Sequence, residues 1–249
     1  MRDDAAPGGA FPPTRWSAVV AARSDDPAER RRGLEILVAA YWKPVYKLIR
    51  ARWNRSTEDA RDLTQEFFAR VIEKDFLAGF DPEKGKLRTF LRTCVDAMVK
   101  NDSRDALRLK RGGGAQVLSL DFETAEGELA LAGIPAPDGR ADELFEKEWV
   151  RSVFALALAR LRAECEAQGK AARFRVFERY DVEDEDPRPT YAALASELGI
   201  AATDVTNHLA WARREFRRVV LETLREMTAS EEEFRREARD LFGLDARSG

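Results

Sequence analysis

One histidine, two cysteines and three methionines are all that this 249-residue chain holds of the side chains that favour soft metals. His208, Cys94 and Cys165 stand far apart in sequence, with no metal-ligand spacing around them. That scarcity argues against a zinc site or a histidine-based catalytic triad. Two lone thiols make no disulfide framework and suit a buried pair in a cytoplasmic protein. No apolar run is long enough to span a bilayer, so no membrane partner is expected. The opening MRDDAAPGGAFPP lacks a basic start followed by an apolar stretch, and a secretory signal is not expected. Glycine-rich phosphate loops, nucleophile–base pairs and metal clusters are missing too. The chain therefore reads as no enzyme, with no catalytic residues and no cofactor. It also lacks strand-like alternation and internal repeats.

What is plentiful is charge. Charged residues make up 35% and hydrophobic ones 44%, a mixture suited to amphipathic helices with solvated outer faces. The net charge is only −3, so local segregation matters more than the total. The expected fold is all-α, with two helical domains joined by an acidic linker. Residues 1–14, rich in Pro, Gly and Asp, read as a loose N-terminus. From Trp16 to Trp53 apolar residues recur at three- and four-residue steps, with Pro44 breaking or beginning a helix. Ser56 and Thr57 cap a helix expected to reach about Asp75. After a turn at Phe80–Gly85, a long helix is expected from about Lys86 to Arg111. Residues 112–140 have little periodicity, several Gly and Pro and mostly acidic charge, as a linker would. Within them Leu118 and Leu120 could make a short extended piece. A second helical block, 141–226, contains the apolar stretch Leu144–Leu161, an acidic loop at Asp181–Asp186, and helices over Tyr191–Leu198 and about Thr203–Glu226. Ser230 and Glu233 form a capping box that opens a final amphipathic helix within 227–249.

Three stretches carry functional signals. On the helix beginning at Thr57, Ala60, Leu63, Phe67, Phe68 and Val71 fall on one side. Glu58, Asp62, Gln65, Glu66, Ala69 and Glu73 fall on the other, with Asp59 in the first turn. The bland reading of that second side is a solvated face; the functional one is a dock for a basic partner. Between Lys84 and Arg111, nine basic residues face only three acids. There Leu87, Phe90, Leu91, Cys94, Val95 and Met98 point inward, while Arg88, Thr89, Arg92, Thr93, Lys100 and Arg104 lie on the outward half. Such cations neutralise phosphates, and threonine hydroxyls can join them. The third stretch, Thr190–Arg218, reads as two helices joined by a tight turn at Gly199, packed through Leu194, Ala195, Leu198, Ile200, Val205 and Leu209. Thr203, Thr206, Asn207 and Trp211 can face outward, with Arg213, Arg214, Arg217 and Arg218 extending a basic surface. Such a helix can enter the major groove, where Asn reads adenine and Thr touches a thymine methyl. Trp211 could instead pack against Trp149 or the C-terminal helix, and His208 reads as a partly buried spacer.

In order along the chain, Glu58–Phe68 (EDARDLTQEFF), Phe80-Asp81, Leu87–Leu91 (LRTFL) and Thr190–Arg218 resemble the extracytoplasmic-function (ECF) sigma factors. The resemblance implies that Asp59, Asp62, Gln65 and Glu66 bind the clamp helices of the RNA polymerase β′ subunit, with the β subunit a further partner. It implies that Arg88, Thr89, Arg92, Lys100 and Arg104 capture the single-stranded minus-ten element of a promoter, a base leaving the stack at a cost of a few kcal/mol. It implies that Thr203, Thr206, Asn207, Trp211, Arg213, Arg214 and Arg217 bind double-stranded minus-thirty-five DNA. Five positions depart from the family pattern. Phe90 replaces a common tryptophan, Ala97 stands where many members carry asparagine, and the basic residues usual near Thr206, Ala210 and Trp211 are missing. The Phe11–Trp16 segment, the Arg111–Gly114 run and the final helix resemble a longer-linkered ECF subgroup. A regulatory partner or kinase is a further expected partner, because phosphate on Ser56 or Thr57 would add charge beside the acidic stripe. The competing classes are a helix-turn-helix regulator that never engages polymerase, and a pure interaction protein with degenerate DNA surfaces.

Overall fold

A computed structural model describes residues 17–73, 76–105, 119–133 and 140–242, with the backbone alone at 102–105 and 132. Outside them lie the N-terminal stretch 1–14 and the Phe11–Trp16 segment, the ends expected near Asp75 and Arg111, the glycine run at 112–114, and Leu118. Among the described residues the chain is helical and has no strand, as its composition and periodicity predict.

Helix α1 (Ala18–Ala21) is one turn. Helix α2 (Pro27–Trp53) starts where Asp26 accepts a hydrogen bond from the Ala28 amide at 2.8 Å, with Pro27 in the first turn. It ends at Asn54, whose φ of 46° is left-handed. Pro44 neither breaks nor begins α2; the helix runs straight through it. Tyr41, Val45, Tyr46, Leu48 and Ile49 are all buried on its flanks, and their packing outweighs the lost backbone hydrogen bond. Near the other end, a Cβ on Gly33 would come within 2.5 Å of the Ala18 carbonyl oxygen and the Ala22 amide nitrogen. Only glycine lets α1 lie this close to α2. Gly33→Ala is expected to displace α1 and cost about 1–3 kcal/mol. A thermal melt and amide exchange over residues 18–22 would check this; a wild-type melt with unchanged exchange would contradict it.

Helix α3 (Thr57–Ile72) is capped by Ser56, which accepts from the Asp59 amide at 3.1 Å. Its inward residues Ala60, Leu63, Phe67, Phe68 and Val71 are all buried, as the heptad-like spacing requires. A 3₁₀ turn at Phe76–Gly79 leads to helix α4 (Leu87–Asp105). There Leu87, Leu91, Val95 and Met98 are buried, and Phe90 and Cys94 are partly so. Phe76, Phe80 and Phe90 form a chain of ring contacts with centroids 6.0 and 5.5 Å apart, which secures the turn against α4.

The stretch 112–140 contains a helix that its composition does not announce. Helix α5 (Phe122–Ala132) is capped by Asp121, packs on α2 and buries Phe122, Ala125 and Leu129. Its glutamates fix it there. Glu126 accepts from Tyr46 Oη at 2.6 Å and from Arg50 Nη2 at 2.6 Å, while Glu128 takes Lys43 and Lys47, each at 2.7 Å. Hydrogen bonding from Arg50 holds the Glu126 carboxyl below its ordinary range. Its three buried apolar residues stand three and four positions apart, too few to stand out among the surrounding Gly, Pro and acidic residues, and its ion pairs reach far along the chain.

Helix α6 (Arg140–Ala167) lies along α2 and buries Phe145, Trp149, Val153, Ala157 and Leu161. The two halves of the chain are thus in contact through one continuous core running from Ala18 to Ala238. Helix α7 (Ala171–Phe177) and a π turn at Glu178–Val182 precede helix α8 (Tyr191–Leu198) and the long helix α9 (Ala202–Glu226). A second, smaller core of Val176, Leu194, Ala195, Val205 and Leu209 lies between α7, α8 and the start of α9. Past Ala212, α9 joins the main core. Helix α10 (Glu231–Phe242) folds back over it, burying Phe234 and Ala238. Among the described residues no helix is long and apolar enough to cross a membrane.

Candidate functional site

The outer side of α3 is open. Glu58, Asp59, Asp62, Glu66 and Glu73 are exposed, and Gln65 and Ala69 are half-buried beside them. Glu66 is paired with Arg70 one turn on, an exposed pair of little energetic weight. At the start of the helix, Thr57 Oγ1 donates to Glu126 at 3.4 Å, so α5 reaches the edge of this stripe without covering it.

The basic helix α4 is differently placed. Its outward half does not face open solvent at the N-terminal end. Arg88 has only 11% of its side chain exposed and lies between Glu146 of α6 at 2.8 Å and Glu237 of α10 at 3.1 Å. Its guanidinium also sits over the Trp149 ring, 4.6 Å from the centroid. Arg92 reaches Asp142 at 3.2 Å and Glu146 at 3.7 Å. Lys86 holds Asp240 at 2.6 Å and Glu237 at 3.4 Å. Thr89 and Thr93 remain exposed, as does Lys100, whose ammonium lies 5.9 Å from the Trp53 ring centre. The side chain of Arg104 lies outside the described residues.

The first turn of α4 is also occupied. A helix N-terminus leaves unpaired amides and a positive dipole end. Here the Leu87 amide donates to Glu233 Oε1 at 2.7 Å, while Oε2 of the same carboxylate accepts from the Ala229 amide at 2.8 Å. Ser230 accepts from the Glu233 amide at 3.1 Å. The capping box expected at Ser230–Glu233 therefore forms in part, and its glutamate serves two helix starts at once. Burial pushes the Glu233 and Glu237 carboxyls up from their ordinary range despite these donors. The capping spacing is the one sequence signal that could have pointed to Glu233. Nothing local marks Glu237, Asp240, Asp142 or Glu146, because their partners lie 50 to 154 residues away.

In the helix-turn-helix, Thr190 accepts from the Ala193 amide at 3.1 Å, and Gly199 has a φ of 66° that a side chain would strain. Thr203, Thr206 and Asn207 are exposed on the first turns of α9. Trp211 is half-buried and packs against the main core. Lys170 and Arg173 lie over its ring, 5.3 and 5.1 Å from its centre. Arg213 is held in a two-point bond to Asp181, at 2.8 and 2.9 Å, which raises its pKa. Arg214 is largely exposed, and Arg217 lies 5.7 Å from the Phe242 ring centre. Arg218 pairs with Glu164, Glu215 and Glu222. His208 is half-buried, in keeping with a spacer.

No curated protein and no solved structure matches the chain. Residues 37–110, from within α2 to just past α4, match the family described as Sigma-70 region 2. The span contains Glu58–Phe68, Phe80-Asp81 and Leu87–Leu91, three of the four stretches on which the sequence resemblance rests; Thr190–Arg218 lies outside it. The match covers 74 of the 249 residues, and it is what supports a sigma-70 family factor with a role in transcription initiation.

Proposed function

We propose that the chain is an ECF-class sigma factor of a longer-linkered subgroup with a C-terminal extension. In this reading 15–111 is region 2, 112–140 the linker, 141–226 region 4 and 227–249 the extension. The observation that carries it is the exposed stripe Asp59, Asp62, Gln65 and Glu66 on α3, within the matched span. Its opposite side is sealed by Phe67 and Phe68, each 1% exposed, so the stripe is rigidly presented. Such a surface suits the basic clamp helices of the polymerase β′ subunit. Thr89, Arg92 and Lys100 on α4, with Arg88 and Arg104, then capture the displaced minus-ten strand. Thr203, Thr206 and Asn207 read the minus-thirty-five element in the major groove, with Trp211 beside them and Arg213, Arg214 and Arg217 on the backbone. The chain makes and breaks no bond; its work is positioning.

Run-off transcription with core polymerase over a library of promoter templates tests this reading. The wild-type chain is expected to support initiation. A Gln65→Ala/Glu66→Arg variant should bind polymerase roughly thirtyfold more weakly, the loss of a single interface hot spot of about 2 kcal/mol. Because both positions lie on the outer side of α3, its thermal melt should stay near wild type. Equal transcription by the two proteins would overturn the assignment of α3.

A further inference from the structure

Every cation at the N-terminal end of α4 is already engaged by an anion of the same chain. Glu233, Glu237 and Asp240 recur at four- and three-residue steps, so α10 presents one acidic edge next to its apolar edge of Phe234, Ala238 and Leu241. That edge takes Lys86, Arg88 and the Leu87 amide together. Glu237 is 2% exposed and Arg88 11%, so no phosphate can reach the guanidinium while α10 is seated. Asp142 and Glu146 of α6 close the other flank.

We propose that α10 is an intramolecular ligand of the strand-capture surface, and that the free chain holds this surface shut until α10 leaves. The proposal rests on the reading of α4 as a nucleic-acid helix. The two acidic flanks differ in how firmly they are held. Helix α6 is fixed by Phe145, Trp149, Val153 and the buried pair Lys47–Glu148 at 2.8 Å. Helix α10 is twelve residues long, buries only Phe234 and Ala238 of its apolar side chains, and joins α9 by a short turn. It is the element that can be released. A polyanion and α10 compete for the same three groups, so DNA binding and α10 docking exclude each other. Asp59, Asp62 and Glu66 of the stripe on α3 stay exposed while α10 is seated, so polymerase can be engaged while the strand-capture surface is closed.

The test is binding of a fluorescein-labelled, mixed-sequence single-stranded oligodeoxynucleotide to the full chain, read by anisotropy at fixed salt. Asp240→Lys repels Lys86 and Arg88 from a half-exposed position, so folding is not at risk. Glu232→Lys makes the same change of charge on the exposed side of α10, and is the control. Asp240→Lys is expected to tighten binding roughly tenfold, and the control less than about threefold. Amide exchange should accelerate at Leu87 and over 231–242 in Asp240→Lys alone. The isosteric pair Glu237→Gln/Asp240→Asn should shift binding in the same direction. Equal effects of Asp240→Lys and Glu232→Lys, or no change in exchange at Leu87, would overturn the latch. Run-off transcription separates the two readings. A latch confirmed by exchange in a chain that never initiates refutes the sigma reading alone. Initiation by wild type with identical oligonucleotide binding in both variants refutes the latch alone.

Discussion

Replacing Lys47 by methionine is expected to destabilise the protein by about 3–5 kcal/mol, the cost of leaving a buried charge without its partner. Lys47 is 1% exposed and Glu148 2%, and their charged atoms lie 2.8 Å apart between α2 and α6. Methionine fills the volume of the lysine stem but offers nothing to the carboxylate. Among the described residues Glu148 would keep only Arg151, at 3.3 Å and largely in solvent. The reverse change, Glu148→Leu, should cost less, because Lys47 keeps Glu128 at 2.7 Å on its half-exposed side. The double variant Lys47→Met/Glu148→Leu should recover most of the loss, since two well-packed apolar residues replace a costly desolvated pair. Urea denaturation of the three proteins checks this. A Lys47→Met protein within about 1 kcal/mol of wild type, or a double variant no better than Lys47→Met, would sink the account.

Trp149→Ala should cost a similar amount, about 3–5 kcal/mol, for a different reason. The indole is 1% exposed and stacks on Tyr41 at 6.5 Å with an interplanar angle of 28°. It also lies under the Arg88 guanidinium. Removing it opens a cavity between α2 and α6 and takes the floor from beneath Arg88. Trp149→Phe keeps the apolar contact and should recover more than half of the loss. Because the ring joins the two halves of the chain, amide exchange should speed up in α2 and α6 together. Faster exchange in α6 with α2 unaffected would mean that the two halves hold themselves up independently.

How far the sequence could be read depended on how far each contact reaches. Phe67 and Phe68 sit at the right steps from Ala60 and Leu63, and their burial follows from the helix period alone. The caps at Ser56 and Thr190 and the left-handed turn at Gly199 are set by residues three or four positions away, so composition reveals them. Pro44 misleads for the opposite reason. Its local effect is to break a helix, but the packing of α2 against α6 decides otherwise. Helix α5 was hidden because its stability comes from Tyr46, Arg50, Lys43 and Lys47, about 80 residues upstream. For the same reason the outward half of α4 looked like free basic surface.

By itself, then, the sequence determined the all-α class, the buried sides of α3 and α4, the helix-turn-helix and the acidic stripe on α3. All of these are written in periodicity and in the chemistry of near neighbours. Only the tertiary structure decided which charges are available. Ion pairs such as Arg88–Glu237 and Lys86–Asp240 join residues about 150 positions apart, and no local pattern constrains which of many acids meets which of many bases. The apolar seating of α6 and α10 makes that choice. It leaves the stripe on α3 open and the cations at the N-terminal end of α4 paired.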